Sequence, residues 1–341
     1  MSALILIVTL ALQANPDALS ASATQLAQQG KLDEAAALWQ RALTAQPTHF
    51  PSLFNLGFLR QSQNRNEEAS ALLARAAKAN PTDFNTRYLH GAVLIKLDRR
   101  DDALRQWRAA TAIQPANFKL LQIMAVEYGK GYYYRESCDA ARRALALRSD
   151  TPDPWLIAIQ ACHDARDPGV LELTRAAADK FPANARTNFE YGYQLRRAGL
   201  REESLPYLKK AMKADAAYEE PFFFYGDSLL LEDRYDEAAQ NLRTALKLRP
   251  DYMPACIALA KALMGEDKLE AASAELQRCS QSNPDHAQPH LLLSQIYFRM
   301  GKEEEASREK ELSLKLRRAH PELMESPQAR PFPAAPTSYP R

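Results

Sequence analysis

The chain has 341 residues, 46% of them hydrophobic, and its 44 lysines and arginines nearly balance 42 aspartates and glutamates. This balance leaves no overall positive field of the kind that nucleic acid or an anionic membrane surface selects, so we expect no nucleic acid partner. Only 11 glycines occur, alanine and leucine are abundant, and Val, Ile and Thr do not alternate as they do in strands. The composition therefore predicts an all-α protein.

Residues 1–14 form an apolar run that is too short to span a bilayer, so we expect no stable membrane span in the mature chain. The run has the length of a signal-peptide core, with Ala14 before the cleavage point, which would direct the protein to the periplasm or cell envelope. Against this, no Lys or Arg precedes the run, and Leu12 is large for the cleavage signal. The alternative is a helix packed on the first repeat of a cytoplasmic protein.

From residue 16 onward the sequence repeats with a period of 34 residues, most clearly at Pro47, Pro81 and Pro115. Proline cannot continue a helical hydrogen-bond ladder, so each one is expected to follow the end of a helix. Small residues recur in the same register and let two helices approach closely. Nine repeats are predicted, at 16–49, 50–83, 84–117, 118–151, 152–184, 185–218, 219–252, 253–286 and 287–320.

Two adjoining repeats depart most from this pattern. Repeat 118–151 ends without proline, and Lys130-Gly131-Tyr132-Tyr133-Tyr134 fills its turn. Repeat 152–184 is one residue short around Asp167-Pro168-Gly169. We expect a local kink between residues 130 and 170, because the register of the repeat changes there.

The segments "GKLDEAAALWQRALTAQP", "DRYDEAAQNLRTALKLRP" and "DKLEAASAELQRCSQSNP" closely resemble the tetratricopeptide repeat family. The resemblance covers residues 16–320 and implies a right-handed superhelical solenoid of antiparallel helix pairs. It also implies a non-enzymatic scaffold that binds a peptide or protein segment in a concave groove. The alternative is an assembly factor or structural subunit of an envelope or secretion complex that uses its outer helix faces.

The family register implies which side chains face that groove. An aromatic column at Phe54, Tyr88, Phe189 and Phe223 is expected to be exposed and to contact the partner. Phe54 and Phe58 stand where a clamp for a partner's terminal carboxylate would need Lys and Asn, so an apolar peptide is expected instead. The full set of groove positions is Phe54, Phe58, Tyr88, Gln122, Phe189, Tyr193, Phe223, Asp227, Lys261, Leu291 and Phe298.

The four cysteines lack metal-ligand spacing. Cys256 and Cys279 lie at matching levels of the two helices of one repeat, and Cys138 and Cys162 lie on consecutive helices around the irregular repeat. Two disulfides, Cys256–Cys279 and Cys138–Cys162, are one interpretation. Four buried apolar thiols are the other.

No motif for catalysis or for a cofactor is found in the sequence. A glycine-rich phosphate loop and a nucleophile elbow are missing, and His286 and His290 lack an acidic third ligand for a metal. We therefore predict that the protein is not an enzyme, with no cofactor and no metal.

Residues 321–341 contain six prolines. This composition cannot bury enough apolar surface to fold, so a disordered tail is expected. A polyproline-type ligand for a partner is the alternative.

Overall fold

The structure is a computed structural model that describes residues 15–324. Within that range every regular element is a helix, which confirms the all-α prediction. The predicted signal peptide and residues 325–341 of the predicted tail lie outside the described residues. No helix in the described range is both long and apolar enough to cross a membrane.

The described chain forms two compact units, with the boundary between Val170 and Leu171. This boundary falls inside predicted repeat 152–184, the one that is a residue short. The helices of the first unit are α1 (Pro16–Gln28), α2 (Leu32–Ala45), α3 (Phe50–Ser62), α4 (Asn66–Ala79), α5 (Phe84–Lys96), α6 (Arg100–Ile113), α7 (Phe118–Lys130), α8 (Tyr134–Leu147) and α9 (Pro152–Asp164). They pack as hairpins α1–α2, α3–α4, α5–α6 and α7–α8, and α9 packs on α8.

The second unit has the same construction. Its helices are α10 (Val170–Lys180), α11 (Ala185–Arg197), α12 (Arg201–Ala214), α13 (Glu219–Leu230), α14 (Tyr235–Leu248), α15 (Met253–Gly265), α16 (Leu269–Ser282), α17 (Ala287–Arg299) and α18 (Glu303–Ala319), followed by a short 3-10 helix, Pro321–Met324. Hairpins form between α11 and α12, α13 and α14, α15 and α16, and α17 and α18.

The small-residue columns lie where the helices touch. Ala35, Ala69 and Ala103 on the second helices of the first unit are fully buried, as are Ala211 and Ala245 in the second unit. Large residues such as Leu73 and Trp107 fill the space beside them. This alternation of small and large side chains is what allows close packing without voids.

Polar residues start several first helices, and proline follows several second helices. The side chains of Asp83, Asn117 and Asn184 accept hydrogen bonds from the backbone N–H groups of Thr86, Leu120 and Thr187, which satisfies donors that a helix start leaves open. Helices α2, α4 and α6 each end two residues before a repeat proline, as predicted.

The turn inside each repeat contains one residue in the left-handed region. Glycine, asparagine and aspartate adopt this conformation most readily. In the described chain these residues are Gly30, Asn64, Asp98, Gly199, Asp233, Asp267 and Gly301, with Tyr132 and Arg166 as the two exceptions.

Candidate functional site

The predicted groove residues differ widely in exposure. Phe58 and Phe298 are 54% and 71% exposed, and Lys261 is exposed too. A second group is half-buried, namely Phe54, Tyr88, Gln122, Asp227 and Leu291. The third group is buried, namely Phe189, Tyr193 and Phe223.

The buried group corrects the expectation that the whole aromatic column is exposed. The ring of Phe189 lies 5.2 Å from that of Tyr218 and 5.6 Å from that of Phe224. The rings of Tyr193 and Phe224 are 5.2 Å apart, and Phe223 contacts Tyr252 at 5.0 Å. These edge-on and tilted contacts are typical of aromatic cores, so the three side chains belong to the core of the second unit.

The cause lies in the residue that precedes the next first helix. Before α13 and α15 that residue is a tyrosine, Tyr218 or Tyr252, and its ring covers the aromatic residue of the preceding first helix. In the first unit the same position holds Asp83 or Asn117, whose short side chains turn back to cap the helix. The sequence contained this signal, but only as a pair of positions near the two ends of one repeat.

Aromatic side chains in the first unit form a partly exposed face on α3 and α5. The rings of Phe50 and Phe54 are 6.2 Å apart along α3, and those of Phe84 and Tyr88 stack at 5.8 Å along α5. Phe58 continues the α3 row into solvent. A tyrosine hydroxyl is protonated at neutral pH, and burial raises the pKa of Tyr88 further, so the face carries no charge from it.

Asp227, another predicted groove residue, is engaged within the protein. Its carboxylate forms an ion pair with Arg196, whose guanidinium also donates to Ser228 Oγ at 2.7 Å and lies over the ring of Phe224. This network links α11 to α13. Asp227 is therefore a positioning residue for two neighbouring first helices in this structure.

The structure also brings together a serine, a histidine and an aspartate that the sequence analysis did not identify. His49 Nδ1 lies 2.9 Å from Ser52 Oγ, and His49 Nε2 lies 3.0 Å from Asp17 Oδ1. In a hydrolase the serine must reach substrate while the aspartate is buried. Here Ser52 is fully buried and the Asp17 side chain is 86% exposed. The arrangement therefore joins α1 to the start of α3 and has no accessible nucleophile.

All four cysteines are paired. Disulfides join Cys138 on α8 to Cys162 on α9, with Cα atoms 4.5 Å apart, and Cys256 on α15 to Cys279 on α16, with Cα atoms 6.5 Å apart. These are the two pairs named from the sequence, where four free thiols was the alternative interpretation. Each disulfide fastens two consecutive helices.

A histidine in the last repeat pairs with a carboxylate of the neighbouring helix. His290 Nδ1 lies 2.6 Å from Glu309 Oε2, which ties α17 to α18. Among residues 15–324, no group of three His, Cys, Asp or Glu side chains is arranged to hold a metal ion.

One family of known proteins matches parts of this chain by sequence. The sequence model described as tetratricopeptide repeat matches residues 26–92 and 229–296. No curated protein matches the chain by sequence.

Several solved structures are similar to the chain at low sequence identity. The complex of Naa15 and Naa10 bound to HypK-THB is 12% identical, with a TM-score of 0.55, over 90% of this chain and 64% of that chain. PilW, a type IV pilus biogenesis factor, is 24% identical, with a TM-score of 0.51, over 60% of this chain and 94% of that chain. MamA is 18% identical, with a TM-score of 0.45, over 48% of this chain and 96% of that chain.

At these identities the likeness is one of fold. One family model matches a segment in each unit, and the helix hairpins between those segments keep the same register. The two matched segments are therefore tetratricopeptide repeats, set in a chain of helix hairpins of the same kind.

Proposed function

We propose that this protein is a non-enzymatic protein–protein interaction scaffold that binds an apolar peptide or protein segment on the aromatic face of α3 and α5. The tetratricopeptide fold is in general a scaffold for protein partners. The observation that carries the finer proposal is Phe58, which is 54% exposed one helical turn after the half-buried Phe54, while Tyr88 is half-buried at the position of α5 that matches Phe54.

The chemistry of this face favours an apolar ligand. Aromatic rings offer large, rigid contact area with few rotatable bonds, which is why they dominate binding energy at interfaces. Gln122 on α7 stands at the position that matches Phe54 and Tyr88, and it provides an amide for orienting a ligand backbone. A bound segment would therefore present apolar side chains to Phe54, Phe58 and Tyr88. Phe298, 71% exposed on α17, is a second contact candidate in the other unit.

Affinity purification from the native cell tests this proposal. The variant Phe58→Ala/Tyr88→Ala is compared with wild type and with the matched control Leu231→Ala, which removes an exposed apolar side chain in the second unit. We expect the double variant to lose partners that both others retain, with unchanged helical circular dichroism. Equal recovery by all three proteins would reject this face and favour the outer helix faces of an assembly factor.

We propose further that the protein works in an oxidising compartment, the periplasm or cell envelope. The pairing of all four cysteines supports this location, because disulfides persist where thiols are not kept reduced. The apolar run at residues 1–14 supports it as well. Determining the N-terminal residue of the native protein tests export. A native chain that begins at Met1 and carries four free thiols would contradict it.

A further inference from the structure

The last helix, α18, exposes a leucine at a position where earlier repeats bury one. Leu43, Leu145 and Leu246 are each the twelfth residue of their helix, α2, α8 and α14, and all three are buried. The first helix of the next repeat packs on each of these helices. Leu314 is the twelfth residue of α18 and is 47% exposed. No first helix follows α18 in the described chain, so this side of α18 is uncovered there.

The uncovered side of α18 is otherwise polar. Besides Leu314 it carries residues spaced by three and four positions, which places them along one side of a helix. These residues, all exposed, are Glu303, Glu304, Ser307, Arg308, Glu311, Lys315 and Arg318. We call them, together with Leu314, the terminal face. On the inner side of α18, Glu309 forms an ion pair with His290, whereas no charged side chain of the terminal face has an ion pair within the described chain.

A shallow hollow lies near the start of the terminal face. Its lining consists of Glu303, Glu304, Ser307 and Arg308. When two helices pack, a side chain of one inserts between four residues of the other. Leu314 is the apolar side chain of this face and lies in the second half of the same helix. Two antiparallel copies of α18 can therefore exchange contacts, with Leu314 of each copy in the hollow of the other.

The charges of the terminal face are complementary in the same arrangement. With Leu314 at the hollow, Glu311 of one copy lies level with Arg308 of the other, and Lys315 lies level with Glu304. Both pairs fit one register, because Lys315 follows Glu311 by four residues and Glu304 precedes Arg308 by four. Arg318 falls beside the acidic start of the other helix. Each pair forms twice, because a two-fold axis relates the two copies.

The leucine and the ion pairs contribute differently to such a contact. Exposed ion pairs add little affinity, but opposite charges in matching positions fix the register and orientation of two surfaces. Burying two copies of Leu314 supplies the apolar contribution. A single helix pair is a small interface, so we expect a dimer that dissociates in the micromolar range.

We propose that the terminal face of α18 binds the terminal face of a second copy of this protein, as an antiparallel helix pair. Leu314 of each copy enters the hollow of the other, Glu311 pairs with Arg308, and Lys315 pairs with Glu304. This contact lies at the end of the second unit. It is separate from the partner binding proposed for the aromatic face of α3 and α5.

Sedimentation equilibrium of the purified full-length chain, over a series of concentrations, tests this proposal. The variant is Leu314→Ala, and the matched control is Leu312→Ala. Leu312 is also exposed, at 37%, but two residues along a helix it lies on nearly the opposite side. We expect wild type to show a reversible monomer–dimer equilibrium. Leu314→Ala should raise the dissociation constant at least about tenfold, because each dimer loses two leucine contacts, and Leu312→Ala should leave it unchanged.

Charge reversal tests the register. Glu311→Arg and Arg308→Glu each place like charges opposite one another in their own dimers, so each variant alone should associate at least about tenfold more weakly than wild type. An equimolar mixture of the two should recover the wild-type dimer fraction, because every pair in the mixed dimer then joins opposite charges. Circular dichroism checks that each variant keeps its helices.

Several results would overturn the proposal. A chain that stays monomeric at every concentration would favour residues 325–341 as the cover of the terminal face. Species that grow beyond the dimer would indicate head-to-tail association. Equal effects of Leu314→Ala and Leu312→Ala, or no recovery in the mixture, would move the contact elsewhere or to another register. No other protein is present, so these outcomes are independent of partner binding at Phe58.

Discussion

The indole of Trp107 on α6 lies directly against Gly91 on α5. Its Nε1 donates to the backbone carbonyl of Tyr88 at 3.0 Å, and a Cβ added at Gly91 would meet that nitrogen at 2.2 Å. Trp107 is 2% exposed, so the ring has no free space to move into. The close approach of α5 and α6 therefore requires glycine at this position.

Gly91→Ala should destabilise the protein by about 2 to 3 kcal/mol, because overpacking displaces a buried ring. The matched control is Gly57→Ala, at the same position of the preceding repeat, where a Cβ would lie 3.1 Å from Leu73 Cγ. Leu73 must give way by only a few tenths of an ångström, and alanine favours the helix by up to about 1 kcal/mol, so we expect little net change. Urea unfolding of both variants measures the difference, and equal stabilities would contradict the packing described for Trp107.

Stability should fall in mild acid because of His90. Burial, followed by the positive charges of Arg99 and Arg87, lowers the pKa of His90 from 6.5 to about 4. Above pH 6.5 the imidazole is neutral in both states and contributes no pH dependence. As the pH falls from 6.5 to 4, His90 binds a proton in the unfolded chain but stays neutral in the folded chain. Unfolding is therefore favoured by up to about 3 kcal/mol.

Urea unfolding at a series of pH values measures this slope. His90→Asn should flatten it between pH 6.5 and 4 relative to wild type, since the variant has no imidazole to protonate. A variant with the full wild-type slope would assign the acid sensitivity to other groups.

The helix pairs could be predicted from the sequence because their signals are local. A proline at Pro47 or Pro81 ends a helix whatever surrounds it, and a small residue at Gly91 or Ala103 permits close packing. Gly30 and Gly199 are local signals of the same kind, because glycine enters the left-handed region without steric cost. The partners of His49 could not be predicted, because Asp17 is 32 residues away in the sequence and reaches His49 only once α1 packs near α3.

The exposure of a side chain could not be predicted from its position in the repeat alone. Phe54 and Phe189 occupy equivalent places in their repeats, yet only Phe189 is fully buried. The difference comes from Tyr218 at the end of the same repeat, where repeat 50–83 has Asp83. Burial depends on the residues at both positions, so a single column of the repeat predicts the same exposure for residues with different surroundings.

Phe189→Ala should therefore cost about 3 to 5 kcal/mol, the range for removing a fully buried aromatic ring. Phe58→Ala removes the same side chain from a position that is 54% exposed, and surface substitutions of this kind change stability by about 0.5 kcal/mol or less. Thermal and urea unfolding compare the two. Similar losses for both variants would refute the assignment of Phe189 to the core and Phe58 to the surface.

The disulfides should contribute separately to stability. They close loops with sequence separations of 24 and 23 residues, and constraining the unfolded chain over such loops is worth about 3 kcal/mol each. Cys138→Ala/Cys162→Ala and Cys256→Ala/Cys279→Ala are the matched variants. Urea midpoints should drop for each, and added reductant should lower the wild-type midpoint more than that of either variant. A wild-type midpoint that is indifferent to reductant would show that the bonds do not stabilise the fold.

The central claim is that the aromatic face of α3 and α5 binds a protein partner. Its most direct test is calorimetric titration of the recovered partner into wild type, Phe58→Ala/Tyr88→Ala and Leu231→Ala. Loss of hot-spot aromatics should raise the Kd of the double variant at least about tenfold, with Leu231→Ala equal to wild type. Equal Kd values for all three proteins would contradict the claim.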